Sequence, residues 1–228
     1  MFQNLDFESA NLPSLPADQS GGYVPISQAM PAWSGYLGAA SVSQVFQNNL
    51  STGSAAIDLF GPDYRVGPGR IIDGHYTAVL QAGGSGTHVA ATLSQSGLVP
   101  VGSSSLQMKV GTGDTGFTVS LGGQSLSMSP LLTTPVYTVY GGNLPPALAG
   151  QFVGLSISAV PIPTDPFNGI TLDDITFSSS PVPEPNVAWL VIAGGAALRI
   201  ADRLRGRSQR RATSKAFAGT GRSVCSIP

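Results

Sequence analysis

Through residues 1–178 apolar and polar positions alternate in short runs, broken by Gly, Pro, Ser and Asn. A period of two marks a half-buried strand, because successive strand side chains point to opposite faces. His75–Gln81 shows it well: Tyr76, Ala78 and Leu80 fall on one side, His75, Thr77, Val79 and Gln81 on the other. The same pattern predicts strands at Leu5–Glu8, Trp33–Gly38, Ser43–Phe46, Ala55–Phe60, His88–Ser94, Leu106–Val110, Phe117–Leu121, Ser125–Met128, Val136–Tyr140, Phe152–Val160 and Ile170–Phe177. Gly61-Pro62-Asp63 punctuates one of them. Gly83-Gly84-Ser85-Gly86 predicts a hairpin joining His75–Gln81 to His88–Ser94, and Gly122-Gly123 predicts another. Many short strands with regular turn signals predict an all-β protein, an antiparallel β-sandwich. No helical period occurs before residue 186.

Beyond residue 178 the pattern changes. Residues 179–185 are a Pro-rich linker whose prolines at 181, 183 and 185 forbid ladder pairing and favour an extended chain. Asn186–Leu198 is thirteen residues without a charge. The run predicts one apolar helix over 186–205, reaching a membrane-spanning length of about 20 residues if Arg199 and Arg203 snorkel. Residues 206–228 read as a basic, disordered tail. Charge follows the same division. Residues 1–198 hold three cations against eleven carboxylates, net −8; residues 199–228 hold eight cations against Asp202 alone, net +7. Charged residues are only 10% of the chain, against roughly 25% in an average soluble domain. The single cysteine, Cys225, lies in the tail, so the sandwich has neither a disulfide nor a thiol nucleophile.

Val182-Pro183-Glu184-Pro185, then the apolar positions Val187, Trp189, Leu190, Val191, Ile192 and Leu198, then Arg199, Arg203, Arg205, Arg207, Arg210 and Arg211, stand in that order near the C-terminus. The arrangement resembles the PEP-CTERM sorting signal of exported bacterial proteins. The physics of its parts is plain: the apolar run partitions into lipid, and the arginines hold the cytoplasmic end. The resemblance implies export, transient inner-membrane anchoring, and removal of the tail by an exosortase, a membrane transpeptidase, leaving the protein at the cell surface or outside it. Met1-Phe2-Gln3-Asn4 carries no basic or apolar leader, so export implies a signal peptide encoded upstream of Met1.

Asn4-Leu5-Asp6-Phe7-Glu8 and Leu172-Asp173-Asp174-Ile175-Thr176-Phe177 resemble the first and last strands of carbohydrate-binding-module-like jelly rolls. The resemblance implies a jelly-roll-like sandwich with those two strands side by side. It also implies a structural calcium, with Glu8 and Asp174 as its best ligands and Asp6 and Asp173 next. On a regular strand Asp173 and Asp174 point to opposite faces, so only one serves a given site. Further short strings, such as Pro31-Ala32-Trp33-Ser34-Gly35-Tyr36, resemble sandwich domains carried by PEP-CTERM proteins without assigning a ligand. Trp33, Tyr36 and Tyr64 are the candidate sugar-stacking rings. A lone strand tryptophan is more often core, whereas Tyr64 lies between Asp63 and Arg65 in a Pro/Gly-rich loop.

Catalytic chemistry has no local signature. Gly-x-Ser-x-Gly is absent, and His75 with His88 makes an incomplete zinc set. Asp58, Asp73 and Asp114 would have to meet from distant positions to form a hydrolytic pair. The acidic body beside an apolar segment favours membrane lipid over nucleic acid as partner of the arginines. With no catalytic signature, the resemblances imply a non-catalytic envelope or matrix protein, and fold analogy alone extends this to binding extracellular polysaccharide. The alternatives are a structural or adhesive protein acting through protein contacts and, last, a jelly-roll glycoside hydrolase.

Overall fold

The computed structural model describes residues 1–16, 21–49, 54–62, 64, 71–84, 88–162 and 168–183. Fourteen strands form in chain order among them: β1 (Tyr23–Pro25), β2 (Ser34–Leu37), β3 (Ala40–Val42), β4 (Gln44–Gln47), β5 (Ser54–Phe60), β6 (Thr77–Gly84), β7 (Ala91–Leu98), β8 (Ser105–Gly111), β9 (Phe117–Leu121), β10 (Gln124–Leu126), β11 (Ser129–Thr133), β12 (Tyr137–Asn143), β13 (Phe152–Ala159) and β14 (Gly169–Ser178). They make two sheets. One has eight strands in the order β1-β4-β5-β6-β14-β8-β12-β11, the other six in the order β10-β9-β13-β7-β2-β3. The pairings are antiparallel except β4 beside β5. The fold is an all-β sandwich.

Alternation decides which face is buried. Leu93, Leu155, Ile157, Val119 and Leu121 point inward from the six-stranded sheet; Leu80, Leu106, Met108, Val110, Ile170 and Leu172 meet them from the eight-stranded sheet. All are essentially sealed from water, and each such side chain contributes about 1.5–3 kcal/mol through burial.

Two predicted features form differently. Leu5–Glu8 is a turn, not a strand: Asn4 and Phe7 have φ of 48° and 58°. The turn drives Phe7 into the core, where it stacks on Trp33 at 5.6 Å. Trp33 Nε1 donates to the Asn4 carbonyl at 2.9 Å. The segment still lies beside β14, through one bond from Ile175 N–H to the Leu5 carbonyl at 3.0 Å. The second difference concerns His75–Ser94. Its two strands are β6 and β7, which belong to opposite sheets; a bridge of Gly83 with Val89 precedes β7. Both strands carry core residues, Ala78 and Leu80 on one, Ala91 and Leu93 on the other. Placing them in facing layers buries both sets. His75 and His88 thus flank opposite ends of β6, about 25 Å apart at strand rise, and do not pair. The short strands β1, β3 and β11 had no predicted counterpart.

The sandwich also continues past the predicted boundary at 178. Ser104 N–H donates to the Ser178 carbonyl and the Ser105 hydroxyl to the Ser180 carbonyl, both within 2.8 Å. Asn143 then grips Val182 from both sides: its Oδ1 accepts the Val182 N–H at 2.6 Å and its Nδ2 donates to the Val182 carbonyl at 3.1 Å. Val182 is buried, and the compact unit runs from Met1 to Val182. Asn143→Ala removes both bonds. It should cost about 1–3 kcal/mol in urea denaturation and speed limited proteolysis between Ser178 and Pro183.

Candidate functional site

The outward face of the six-stranded sheet has an uncommon composition. None of its six strands contains Asp, Glu, Lys, Arg or His. Hydroxyl residues occupy its outward positions in register. Ser34, Ser94, Ser156, Ser120 and Ser125 are successive cross-strand partners over five strands. Ser41, Tyr36, Thr92, Ser158 and Thr118 form a second such row. Part of this array is bonded internally: Thr92 Oγ1 lies 2.7 Å from Ser158 Oγ, and Ser94 Oγ donates to the Leu155 carbonyl at 3.0 Å. Farther along the same two strands Phe152 pairs with Leu98 on the outward face, and Phe152 is 71% exposed. Gly154, between Phe152 and the serines, leaves open space above the sheet. Thr118 and Ser125 also line a pocket of about 270 Å³ together with Phe117 and with Tyr140 of the eight-stranded sheet, which meet edge to face at 5.1 Å.

The three predicted stacking rings are dispersed. Trp33 is 4% exposed, packed on Phe7, so the core claims it and it offers no ring to a ligand. Tyr64 stacks on Phe60 at 3.9 Å and 8°, so one of its faces is already covered. Tyr36, half-buried, stands in the second hydroxyl row. Phe152 was missed by sequence reasoning. The signal was present: Phe152-x-Gly154-x-Ser156-x-Ser158 puts the phenylalanine in phase with the polar side of its strand.

Of the predicted calcium ligands, Asp174 binds a different cation, the Lys109 ammonium. Lys109, on the outward face of β8, is the register partner of Asp173. Its Nζ lies 2.5 Å from Asp73 Oδ2 and 2.9 Å from Asp174 Oδ2, and 5.2 Å from the centre of the Tyr137 ring. Desolvation acts to lower the Lys109 pKa, but the bonds to Asp73 and Asp174 outweigh it and the net shift is upward. The same contact, with the Gly74 N–H, holds Asp73 below the usual carboxylate range. Asp174 reaches the ammonium because β14 is irregular between Asp173 and Thr176, with Asp174 at φ 45°. That bulge cancels the opposite-face rule expected for adjacent strand residues.

The other carboxylates are engaged separately. Glu8 Oε1 accepts the N–H groups of His75 and Tyr76 at 2.8 and 2.9 Å, and Oε2 lies 3.3 Å from His75 Nδ1. A side chain at Gly74, φ +54°, would collide with the Glu8 carboxylate. Asp173 Oδ2 accepts the Thr77 hydroxyl at 2.8 Å and Oδ1 the Asp174 N–H at 2.8 Å. Burial raises its pKa to about 7. Asp6 is exposed and accepts the Glu8 N–H at 3.4 Å. Calcium needs six to eight oxygens. Among the described residues no three His, Cys, Asp or Glu side chains are arranged to hold a metal. A dication 4 Å from the Lys109 ammonium would be repelled by about 8 kcal/mol at an effective dielectric of 20. Glu8, Asp6, Asp173 and Asp174 therefore do not fit calcium.

The three carboxylates considered for hydrolysis stay apart: Asp73 binds Lys109, and Asp114 Oδ2 accepts the Thr171 N–H at 2.7 Å. Asp58 is buried on β5, where Oδ2 accepts the Asn49 N–H at 2.9 Å and Oδ1 has no partner among the described residues. Of the sorting motif, Val182 and Pro183 are described; Glu184, Pro185, the apolar segment and the arginines lie outside the described residues. Among the described residues no helix is long and apolar enough to cross a membrane.

Burial pushes the Asp58 pKa up to about 8 against smaller opposing backbone hydrogen bonds. Below about pH 4 folded and unfolded chains both hold this proton. Between about 4 and 8 the unfolded chain releases it while the folded chain keeps it, so rising pH favours unfolding. The melting temperature should be higher at pH 5 than at pH 8, and Asp58→Asn should flatten the larger share of that slope in scanning calorimetry, the remainder coming from Asp173, which burial also raises, to about 7.

No family model and no curated protein sequence matches this chain. Among solved structures, it is similar to a cyclase from Fischerella sp. in its apo form, at 16% identity and TM-score 0.47 over 81% of this chain and 97% of that one. It is also similar to the enzymatically active domain of bacteriophage CBA120 tailspike protein 4, at 12% identity and TM-score 0.37 over 64% of this chain and 19% of that one. At these values the likenesses carry no argument about activity.

Proposed function

We propose that this is a non-catalytic, exported envelope or matrix protein whose sandwich, of jelly-roll type, binds neutral polysaccharide. The C-terminal apolar helix and arginines deliver it through exosortase sorting. The observation that carries the binding part is the charge-free hydroxyl face with Phe152 at its edge. Hydroxyls donate and accept in turn, as sugar hydroxyls do. Rows spaced about 4.8 Å across strands and about 6.7 Å along them offer repeated contacts to a repeating chain. An uncharged ligand then forces no ion out of water, and Phe152 and Tyr36 supply apolar ring faces for sugar rings. The delivery part rests on the order of Val182-Pro183-Glu184-Pro185, the apolar run and the arginines.

An adhesive role through protein contacts is the second reading. It is favoured by β11, an edge strand with exposed Leu131 and Leu132, since open apolar edges invite strand pairing.

Binding is tested by co-sedimentation with insoluble neutral glucans. Retention should persist in 1 M salt. A Ser156→Asp substitution should abolish it, with thermal unfolding confirming that the variant is folded, and Phe152→Ala should weaken it about tenfold, or ~1.4 kcal/mol. Equal retention of all three proteins would sink the glycan reading; concentration-dependent self-association lost on Leu132→Lys would favour adhesion instead. For delivery, intact mass is measured in a PEP-CTERM-competent host with a signal peptide supplied. Loss of the residues after the Pro183-Glu184-Pro185 region, blocked by Glu184→Ala, is expected. An unprocessed parent would refute sorting.

A further inference from the structure

We infer that the Lys109 ammonium is the structural cation of the corner where β8, β14 and residues 71–76 meet, so this sandwich closes there without a divalent metal. Three parts of the chain converge on this point. Residues 71–76 lead into β6; β14 is broken by its bulge at Asp173–Asp174; Tyr137 stands on the neighbouring strand β12. The first two bring a carboxylate each, the third an aromatic face. The ammonium answers them together, donating to Asp73 and Asp174 and lying against the Tyr137 ring. Its side chain is only 17% exposed, although both acids are more open, so water screens it far less than a surface pair.

The placement is specific. Lys109 is opposite Asp173 in the ladder, and the bulge brings the next residue, Asp174, to the same side of the sheet. A metal would need those carboxylates bare and several more oxygens around them. Here Glu8 is spent on the His75 and Tyr76 N–H groups and Asp173 on Thr77. Among the described residues Lys109 is the only lysine or arginine. Removing the ammonium leaves Asp73 and Asp174 facing each other with no counter-charge, the situation a divalent ion would relieve.

The test is thermal unfolding of the full chain with EDTA and with millimolar CaCl₂, for the parent, Lys109→Met and Lys109→Arg. The parent melting temperature should be the same in both solutions, and calorimetric titration of the parent with CaCl₂ should show no binding heat. Lys109→Met should melt roughly 5 °C lower and gain a calcium-dependent rise absent from the parent; Lys109→Arg should recover most of the loss. A parent destabilised by EDTA or binding calcium would overturn the inference without needing any variant to fold. So would Lys109→Met melting with the parent, or melting lower without any calcium response.

Discussion

The inner faces of two sheets pressed together are the constraint from which the rest follows. Every strand of the sandwich must present apolar residues at every second position, and the residues between them are left to face water or another layer. β6 and β7, consecutive in the chain, meet it from opposite layers, each adding its own inward set to the shared core. The same constraint explains the N-terminal turn. Phe7 gains more from the core beside Trp33 than Leu5–Glu8 would gain from edge pairing, and this outweighs the left-handed backbone at Asn4 and Phe7.

A core of this kind holds strands but not the segments between them. With no cystine in the sandwich, these segments are tied by polar side chains. Glu8 caps the His75 and Tyr76 N–H groups, Lys109 joins Asp73 to Asp174, and Asn143 pairs with Val182 as a strand would. Each tie engages groups that would otherwise lose hydrogen bonds on being half-buried. The ties are also where charge accumulates in a chain that has little, which leaves the six-stranded sheet without any.

That segregation is what gives the sandwich two different outer surfaces. The eight-stranded sheet carries Lys109, Asp173 and the buried Asp58. The six-stranded sheet carries serine and threonine in cross-strand rows, with Phe152 beyond them. A neutral, hydroxyl-rich ligand suits the second surface and not the first, because only there does binding leave every charge in water.

Period-two alternation alone was enough to place most strands and to assign the all-β class: Phe117–Leu121 forms over the predicted residues, and Gly122-Gly123 turns the chain with φ of 59° and 75°. Alternation is local, and local information says which face is wet but not which strand lies beside it. The hydroxyl rows illustrate the limit. Ser34, Ser94, Ser120, Ser125 and Ser156 are spread over more than half the chain, and only sheet order and register align them. The acidic corner is similar: the resemblance of Asp6–Glu8 and Asp173–Asp174 to metal ligands was visible, but the Lys109 ammonium among them was not. Its position depends on a ladder pairing 64 residues apart and on a bulge. Sequence by itself determined the class, the strand periods and the order of the C-terminal segments, because those reside in neighbouring residues. Tertiary structure decided the neutral face, the filled cation position and the docking of Val182, because each joins groups distant along the chain.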